Sequence, residues 1–291
     1  MEKASFVDEL FVLDRGSTDE TVKRARNAGA RVVSTNDLMP EIPPGSGKGE
    51  SLWRSLAMLS GDIVVWLDAD IRNFSSDFVT RLAAPLLIDP GICFVQGYSM
   101  PPSDIDVEID GVVYIADSGR LTELAVRPLL NIFFPELGGM FQPLGGEHAG
   151  RVDVLRRIPF LSGCSVDVAI LIDLLEDVGL DALAQIDLGP RLAQTSPLTE
   201  LSPRAHAIAR TILSRAQERK RIKLSPNALA HPLLMPNDRA LDAARIDEVE
   251  RPPIELVPSY IAALRTSGSN GEHPDLSSRT KGHERHAAGL S

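Results

Sequence analysis

The alternation of apolar and polar positions divides the first half of the chain into segments with strand or helix character. Apolar runs at 7–14, 30–35 and 62–70 predict strands, because each is short and is bounded by turn-forming residues. Helix start and stop signals predict a helix at 17–29, where Ser17 or Thr18 can cap the first turn and Gly29 ends it. Apolar residues recur at helical spacing over 49–61, which predicts a second helix. This order of elements predicts a mostly parallel sheet with helices packed on its faces, an α/β fold.

The second half of the chain continues with more varied signals. Further strands are predicted at 91–100 and 183–191, while residues 104–119 fit either a hairpin or a loop. A glycine-rich turn region is predicted at 138–151. Helical spacing predicts three more helices, at 120–135, 165–179 and 202–223.

Composition divides the chain into three parts. Residues 1–200 carry the alternation of strands and helices and are predicted to form one α/β core. Residues 201–265 are predicted to be a helical C-terminal extension. In residues 266–291, Ser, Gly, His and charged residues replace the apolar pattern, which predicts a disordered tail.

The charge and cysteine content of the chain exclude several classes of function. Its 291 residues carry a formal net charge of −10, which disfavours nucleic acid and anionic membranes as partners. No apolar stretch has the length of a membrane span, and the N-terminus lacks the pattern of a signal peptide. Cys93 and Cys164 stand apart among apolar residues, which predicts two buried free thiols and a reducing, cytoplasmic location.

Two acids end the strand predicted at 62–70. Asp68 and Asp70 follow the apolar run Ile63 to Leu67, and alternation along a strand would point both side chains the same way. Two close carboxylates repel each other unless a positive charge lies between them. A hard cation, Mg²⁺ or Mn²⁺, would satisfy both carboxylates and could join them to a phosphate. The alternative is a polar strand end that runs into a turn.

Other polar residues are predicted to meet at the same edge of the sheet. Ligands of open α/β sheets bind beyond the carboxyl ends of the strands. Asp14 ends the first predicted strand, and the loop sequence GSGKG ends in Lys48 and Gly49. Lys48 could reach a phosphate or a base carbonyl from such a loop, although a solvated surface lysine is an equally good interpretation of the sequence.

Six motifs occur in a fixed order between about residues 7 and 213, namely VLDRGSTDETV, GKGESLWRSL, GDIVVWLDAD, GRLTELAVRPLL, QPLGGEHAGR and LAQIDLGPR…PLTEL. Together they resemble the retaining glucosyl-3-phosphoglycerate synthases, and VERPPIELVP at 249–258 resembles the closing segment of that family. The resemblance implies a GT-A fold, a homodimer, a Mg²⁺ or Mn²⁺ cofactor, and glucose transfer from UDP-glucose to 3-phosphoglycerate.

The resemblance also implies roles for individual residues. Glu147 and Arg191 match residues near the transferred sugar and in a late loop that closes on the ligands, and they are the predicted catalytic residues. Asp68 and Asp70 match the metal-binding motif. The residues predicted to contact the nucleotide sugar are Asp14, Arg15, Lys48, Asp68 and Ala69. The residues predicted to contact the phosphorylated acceptor are Gly119, Arg120, Thr122 and Thr195.

The chain departs from the family pattern at several positions. Ala193 stands where the family has a histidine that ligates the metal, and Thr195 stands where it has an asparagine. A water molecule or His148 could replace the missing ligand. Arg15 replaces a small hydroxyl residue. Family members also carry an earlier strand and helix, so the chain is expected to begin at their second strand.

These departures keep two other functions open. A non-catalytic relative that binds a nucleotide sugar or a partner would tolerate Ala193, although the retained acids and Lys48 argue against it. A phosphatase with an Asp-x-Asp strand end needs a hydroxyl residue soon after the second acid, and the sequence DADIRNF lacks one.

Overall fold

The computed structural model describes residues 6–71, 73–99, 107–109, 112–114, 119–189, 197–237, 239–244 and 246–267. The strands in these ranges are β1 Phe11–Asp14, β2 Arg31–Ser34, β3 Ile63–Trp66, β4 Phe94–Tyr98, β5 Val107–Ile109, β6 Val112–Tyr114, β7 His148–Arg151, β8 Phe160–Leu161, β9 Leu183–Asp187, β10 Leu233–Asn237, β11 Ala240–Ala244 and β12 Glu250–Arg251.

The α-helices are α1 Thr21–Asn27, α2 Lys48–Ser55, α3 Ser76–Ile88, α4 Arg127–Phe133, α5 Val152–Leu155, α6 Val166–Asp177, α7 Leu198–Glu218 and α8 Pro258–Ser267. A π-helical turn, Thr122–Val126, leads directly into α4. Short 3₁₀ turns occur at Thr35–Asp37, Pro135–Leu137, Leu180–Ala182 and Ile254–Leu256. Most of the predicted helices and strands are therefore present with shorter bounds.

The main sheet has the strand order β3-β7-β4-β9, and it is mixed. β4 and β9 are parallel, but β7 is antiparallel to both of its neighbours, so that His148 lies opposite Trp66 on one side and Gln96 on the other. β1 and β2 form a separate parallel pair. β3, β4 and β9 run in the same direction, so the prediction of a mostly parallel sheet is confirmed in this sheet. The antiparallel strand β7 was not predicted, since it lies in the region predicted as a glycine-rich turn.

Small residues allow β7 to lie between two strands. A Cβ atom on Gly150 would approach Leu155 Cδ1 to 2.8 Å and Phe94 Cδ2 to 3.2 Å. A larger side chain at this position would therefore push the strand away from the core. The predicted hairpin alternative for 104–119 is confirmed by the antiparallel pairing of β5 with β6.

The two faces of the main sheet bury different sets of helices. Trp66 and Phe94 belong to the larger apolar cluster, which includes α2, α6 and α7. Val95 and Ala149 alternate to the other face and pack with α3. Because helices cover both faces of the sheet, a ligand-binding site would lie at the polar ends of the strands.

The C-terminal region combines helices with strands. α7 packs on the main core through Ile208 and Ile212, while β10 and β11 add an antiparallel hairpin to a region predicted as helical. The division at residue 200 stays a prediction, and residues 268–291 of the predicted tail lie outside the described residues. Cys93 and Cys164 are free thiols, and both are half-buried rather than fully buried. Within the described ranges, every helix lacks the combined length and apolar character of a bilayer span.

Candidate active site

Lys48 is the centre of a charged group at the carboxyl end of β3. Its Nζ lies 3.3 Å from Asp68 Oδ1 and 3.2 Å from Asp167 Oδ1, and it donates to the carbonyl oxygen of Gly146 at 3.3 Å. The lysine side chain keeps 27% of its surface exposed, so a ligand can still reach it. The prediction that Lys48 and Asp68 lie together is therefore confirmed, and the alternative of a fully solvated lysine is wrong.

Local backbone geometry fixes the position of Lys48. It begins α2 directly after Gly47, which has a φ of 106° that a residue with a side chain rarely adopts. A Cβ atom on Gly47 would also approach Gly163 Cα to 2.7 Å. The glycines of the predicted loop thus bring Lys48 against the segment that precedes α6.

The neighbouring carboxylates keep Lys48 charged. Burial alone would lower the pKa of the Lys48 ammonium, but Asp167 and Asp68 outweigh it and raise that pKa above its usual value. The lysine is therefore a permanent positive charge at neutral pH.

Asp167 was missed by the sequence analysis. It lies in the first turn of α6 and is buried, with 7% of its surface exposed. An acid in the first turn is common in helices because it complements the helix dipole, so the sequence alone gave it an ordinary explanation. The observation that could have identified it is the single acid near the start of the otherwise apolar stretch SVDVAILI.

The two acids of the Asp-x-Asp motif do not continue the strand. β3 ends at Trp66, so Asp68 lies beyond the strand, and Ala69 and Asp70 lie in an exposed turn. The argument from strand alternation is therefore wrong, although both acids remain at the strand end. Gly146 packs against Asp68, since a Cβ atom there would lie only 1.9 Å from Asp68 Oδ2.

Glu147 and His148, which follow Gly146, are both buried, and neither is placed as a metal ligand would be. Glu147 is 3% exposed, and its carbonyl oxygen accepts a hydrogen bond from Gly97 N at 2.9 Å. His148 is fully buried, with ring centroids 5.2 Å from Trp66 and 5.4 Å from Phe94. Burial, with a smaller contribution from Lys48, lowers the pKa of His148 to about 3. This packing in the core does not support His148 as the replacement metal ligand.

Asp14 lies at the end of β1, in the separate two-stranded sheet. Its carboxylate accepts hydrogen bonds from Gly16 N at 3.0 Å and Ser17 N at 3.2 Å. A hydrogen bond from the Ser17 side chain, helped by these two backbone bonds, lowers the pKa of Asp14. These hydrogen bonds stabilise the turn that directly follows Asp14. Arg15 is exposed in the same turn. A role for either residue in nucleotide binding stays a prediction.

The predicted acceptor residues begin the helical segment that precedes α4. The carbonyl oxygen of Gly119 accepts a hydrogen bond from Glu123 N at 2.8 Å, Arg120 is half-buried, and Thr122 is 5% exposed. Arg191, Ala193 and Thr195 lie outside the described residues. The structure therefore describes the metal, lysine and helix-start parts of the predicted site.

Comparison with known proteins places the chain in a family. No protein-family model matches it. It is 38% identical over 263 residues to the glucosyl-3-phosphoglycerate synthase of Petrotoga mobilis, covering 89% of this chain and 80% of that protein. It is 46% identical over 209 residues to the enzyme of the same name from Mycolicibacterium smegmatis, covering 72% of this chain and 68% of that protein.

Solved structures agree with these sequence matches. A crystal structure of glucosyl-3-phosphoglycerate synthase from Mycobacterium tuberculosis, in complex with Mn²⁺, UDP-glucose and phosphoglyceric acid, has 41% identity and a TM-score of 0.73. The match covers 86% of this chain and 80% of that one. A structure of the same enzyme with Mg²⁺ and UDP matches with the same TM-score. The chain therefore has the GT-A fold and belongs to the glucosyl-3-phosphoglycerate synthase family.

Proposed function

We propose that this chain transfers glucose from UDP-glucose to 3-phosphoglycerate in a metal-dependent reaction that retains the anomeric configuration. The observation that carries the proposal is the contact of Lys48 with both Asp68 and Asp167 at the end of β3. The relative from M. tuberculosis has been crystallised with Mn²⁺, UDP-glucose and phosphoglyceric acid, and it is 41% identical to this chain over the matched region.

The chain has carboxylate side chains that can ligate a divalent cation. Asp68 and Asp70 offer carboxylate oxygens, the ligands that Mg²⁺ and Mn²⁺ prefer. Among the described residues, no three His, Cys, Asp or Glu side chains are grouped to hold a metal ion. The two aspartates would therefore share the cation with the diphosphate and with water. When bound, the cation neutralises charge on the departing UDP.

Lys48 supplies a second positive charge on the same side of the site. Asp167 and the Gly146 carbonyl hold its ammonium group in place before any ligand arrives. A charge that is already oriented stabilises the developing negative charge without having to reorganise. Lys48 would thus interact with the phosphate that leaves with UDP, while Asp167 orients it.

The acceptor would bind at the start of the segment that leads to α4. Arg120 offers a planar fork of donors and Thr122 a hydroxyl, which suit the phosphate and carboxylate of 3-phosphoglycerate. Glu147 would lie near the transferred sugar, and Arg191 would close on the ligands. These assignments rest on the matched motifs.

A transfer assay tests the proposed function. The full chain is incubated with radiolabelled UDP-glucose, 3-phosphoglycerate and Mn²⁺ or Mg²⁺, and the glucosylated product is separated and quantified. Product that requires all three components supports the proposal. Absence of product at every metal concentration, while UDP still binds, would contradict it.

That last outcome would favour a second function, a non-catalytic protein that binds a nucleotide sugar. The feature in its favour is the prediction, from the matched motifs, that Ala193 occupies the position of the family's metal-binding histidine. Alanine cannot ligate a metal, and the loss should weaken the affinity for Mn²⁺. Restoring the ligand with Ala193→His should then increase transfer at low Mn²⁺ concentration if the chain is an enzyme.

We further propose a homodimer located in the cytoplasm. Leu234 and Leu241, on the paired strands β10 and β11, are 54% and 62% exposed, and a partner subunit would cover such side chains. The two free thiols fit a reducing compartment. Light scattering of the full chain distinguishes a monomer from a dimer.

A further inference from the structure

The C-terminal residues 246–252, here named the strap, return to the two segments that hold Lys48 and Asp167. One of these segments is the loop at 43–47, which leads into α2. The other is the turn at 162–165, which leads into α6. The strap thus contacts both halves of the charged group although it contributes no residue to it.

The strap is bonded to the loop before Lys48. Ser46 Oγ donates to the carbonyl oxygen of Asp247 at 3.1 Å. Arg251 donates to the carbonyl oxygen of Pro43 at 2.7 Å and to Glu50 Oε2 at 2.8 Å. Glu50 is 2% exposed and also pairs with Arg54 at 2.7 Å, so loss of its partners would leave a buried charge unpaired.

The strap is bonded more directly to the turn before Asp167. Ser165 N donates to Glu248 Oε1 at 3.1 Å. Two further hydrogen bonds join Ser162 and Val249. Ser162 N donates to the carbonyl oxygen of Val249 at 2.8 Å, and Val249 N donates to Ser162 Oγ at 3.0 Å. A Cβ atom on Gly163 would lie 1.9 Å from Glu248 Oε1, so the Glu248 side chain packs against this glycine.

The two segments are also bonded to each other. Glu50 N donates to the carbonyl oxygen of Ser162 at 2.9 Å, and Gly49 N donates to that of Gly163 at 3.4 Å. A shift of the turn before α6 would therefore reach the first turn of α2, where Lys48 lies. Both partners of the 3.2 Å contact between Lys48 and Asp167 depend on this turn.

We propose that Glu248 is a positioning residue. It fixes the start of α6, so that Asp167 holds the Lys48 ammonium group in the position that catalysis requires. Ser165 is the residue before α6, and Asp167 follows two positions later. A carboxylate that accepts a hydrogen bond at the N-terminus of a helix also interacts favourably with the helix dipole. The inference rests on the proposed transferase function only in that Lys48 acts on the substrates while Asp167 orients it.

Substitutions at Glu248 separate positioning from simple stability. Glu248→Ala removes the acceptor, Glu248→Asp withdraws it by one methylene, and Glu248→Gln keeps an oxygen that can accept from Ser165 N. Glu255→Ala is the matched control, because Glu255 is an exposed acid of the neighbouring C-terminal sequence. All four variants are made in the full chain.

We expect kcat for glucose transfer to fall about tenfold in Glu248→Ala, since misplacement of a catalytic group by about 1 Å can cost up to ~100-fold. Glu248→Asp should show a smaller decrease, while Glu248→Gln and Glu255→Ala should keep the parental kcat. The KM for UDP-glucose should change less than about twofold, because no ligand contact is removed. Parental kcat in both Glu248→Ala and Glu248→Asp, or an equal loss in Glu248→Gln, would overturn the inference.

Hydrogen exchange gives a reading that does not depend on catalysis. Amides of residues 48–50 and 162–167 should exchange faster in Glu248→Ala than in the parent or in Glu255→Ala, at an unchanged melting temperature. If the parent transfers no sugar but this exchange increases, the proposed function fails and the positioning inference stands. Unchanged exchange in Glu248→Ala would overturn the inference whatever the activity.

Discussion

Lys48 Nζ lies 3.2 Å from Asp167 Oδ1, and this pair joins the first turn of α2 to the first turn of α6. Asp68 approaches the same ammonium group at 3.3 Å from the end of β3. Three elements that are distant in sequence therefore meet at one positive charge. The positive charge of Lys48 offsets the cost of burying the Asp167 carboxylate. The Lys48 side chain itself stays partly exposed, so a ligand can reach it.

Removing the charge of Lys48 should abolish most of the activity. In Lys48→Met, Asp68 and Asp167 are left facing each other and would repel an anionic donor as well. We expect kcat for glucose transfer to fall about 100-fold or more, as is typical when a preorganised charge or donor is removed from an active site. Steady-state kinetics measure this loss. Lys23→Met, at an exposed lysine of α1, is the control, and an equal loss there would point to a general effect of the substitution.

The sequence predicted Lys48 and Asp68 as neighbours but did not predict Asp167. The glycine-rich loop and the strand-end acids are local signals, because the residue types themselves dictate a turn and a polar strand end. Asp167 becomes part of the site only through the packing of α6 against the loop before α2. Tertiary packing of that kind leaves no local pattern in a single sequence.

β7 was missed for a related reason. The strand has only four residues, HAGR, and two of them, alanine and glycine, are small and have little strand propensity. The strand is stabilised by its two neighbours, β3 and β4, and not by its own sequence. The same region gave His148 the appearance of a possible metal ligand, whereas its position in β7 directs the imidazole between Trp66 and Phe94.

Asp68 and Asp70 should govern the dependence on metal. Asp70→Asn keeps the size of the side chain but removes a charged ligand, so Mn²⁺-dependent binding of UDP should weaken at least about tenfold, given that even outer-shell changes cost 10–100-fold. Asp68→Asn should weaken it too and should also loosen Lys48. Calorimetric titration of UDP with and without Mn²⁺ measures the effect. Asp77→Asn, at an exposed acid in the first turn of α3, should bind as the parent does.

Gly146 leaves no room for a side chain beside Asp68. In Gly146→Ala, the added Cβ atom would lie 1.9 Å from Asp68 Oδ2 and 3.0 Å from Lys48 Nζ, so both groups must move. We expect transfer to fall sharply, because the added atom displaces the Asp68 carboxylate and the Lys48 ammonium from their contact. Gly139→Ala is the matched control, since nothing lies within 4 Å of its added Cβ atom. Similar activity in the two variants would mean that Asp68 and Lys48 tolerate displacement.

His148 should make the stability of the protein depend on pH. Burial lowers the pKa of the folded imidazole to about 3, whereas the unfolded chain titrates near the ordinary value of 6.5. Between these two values the unfolded chain binds a proton that the folded chain does not, so acid favours unfolding. The resulting contribution is fully present above pH 6.5 and is lost progressively as the pH falls towards 3. Two pKa values this far apart should change the free energy of unfolding by about 2 kcal/mol between pH 7 and pH 5.

The substitution His148→Phe isolates this contribution. Phenylalanine fills the space between Trp66 and Phe94 but cannot bind a proton, so the pH dependence from this site should disappear while that of the other groups remains. Urea unfolding of the parent and the variant at pH 5 and pH 7 gives the difference directly. His231→Gln, at an exposed histidine, should leave the parental pH dependence unchanged. If His148→Phe loses as much stability in acid as the parent, the imidazole already titrates near 6.5 in the folded protein and is in contact with water.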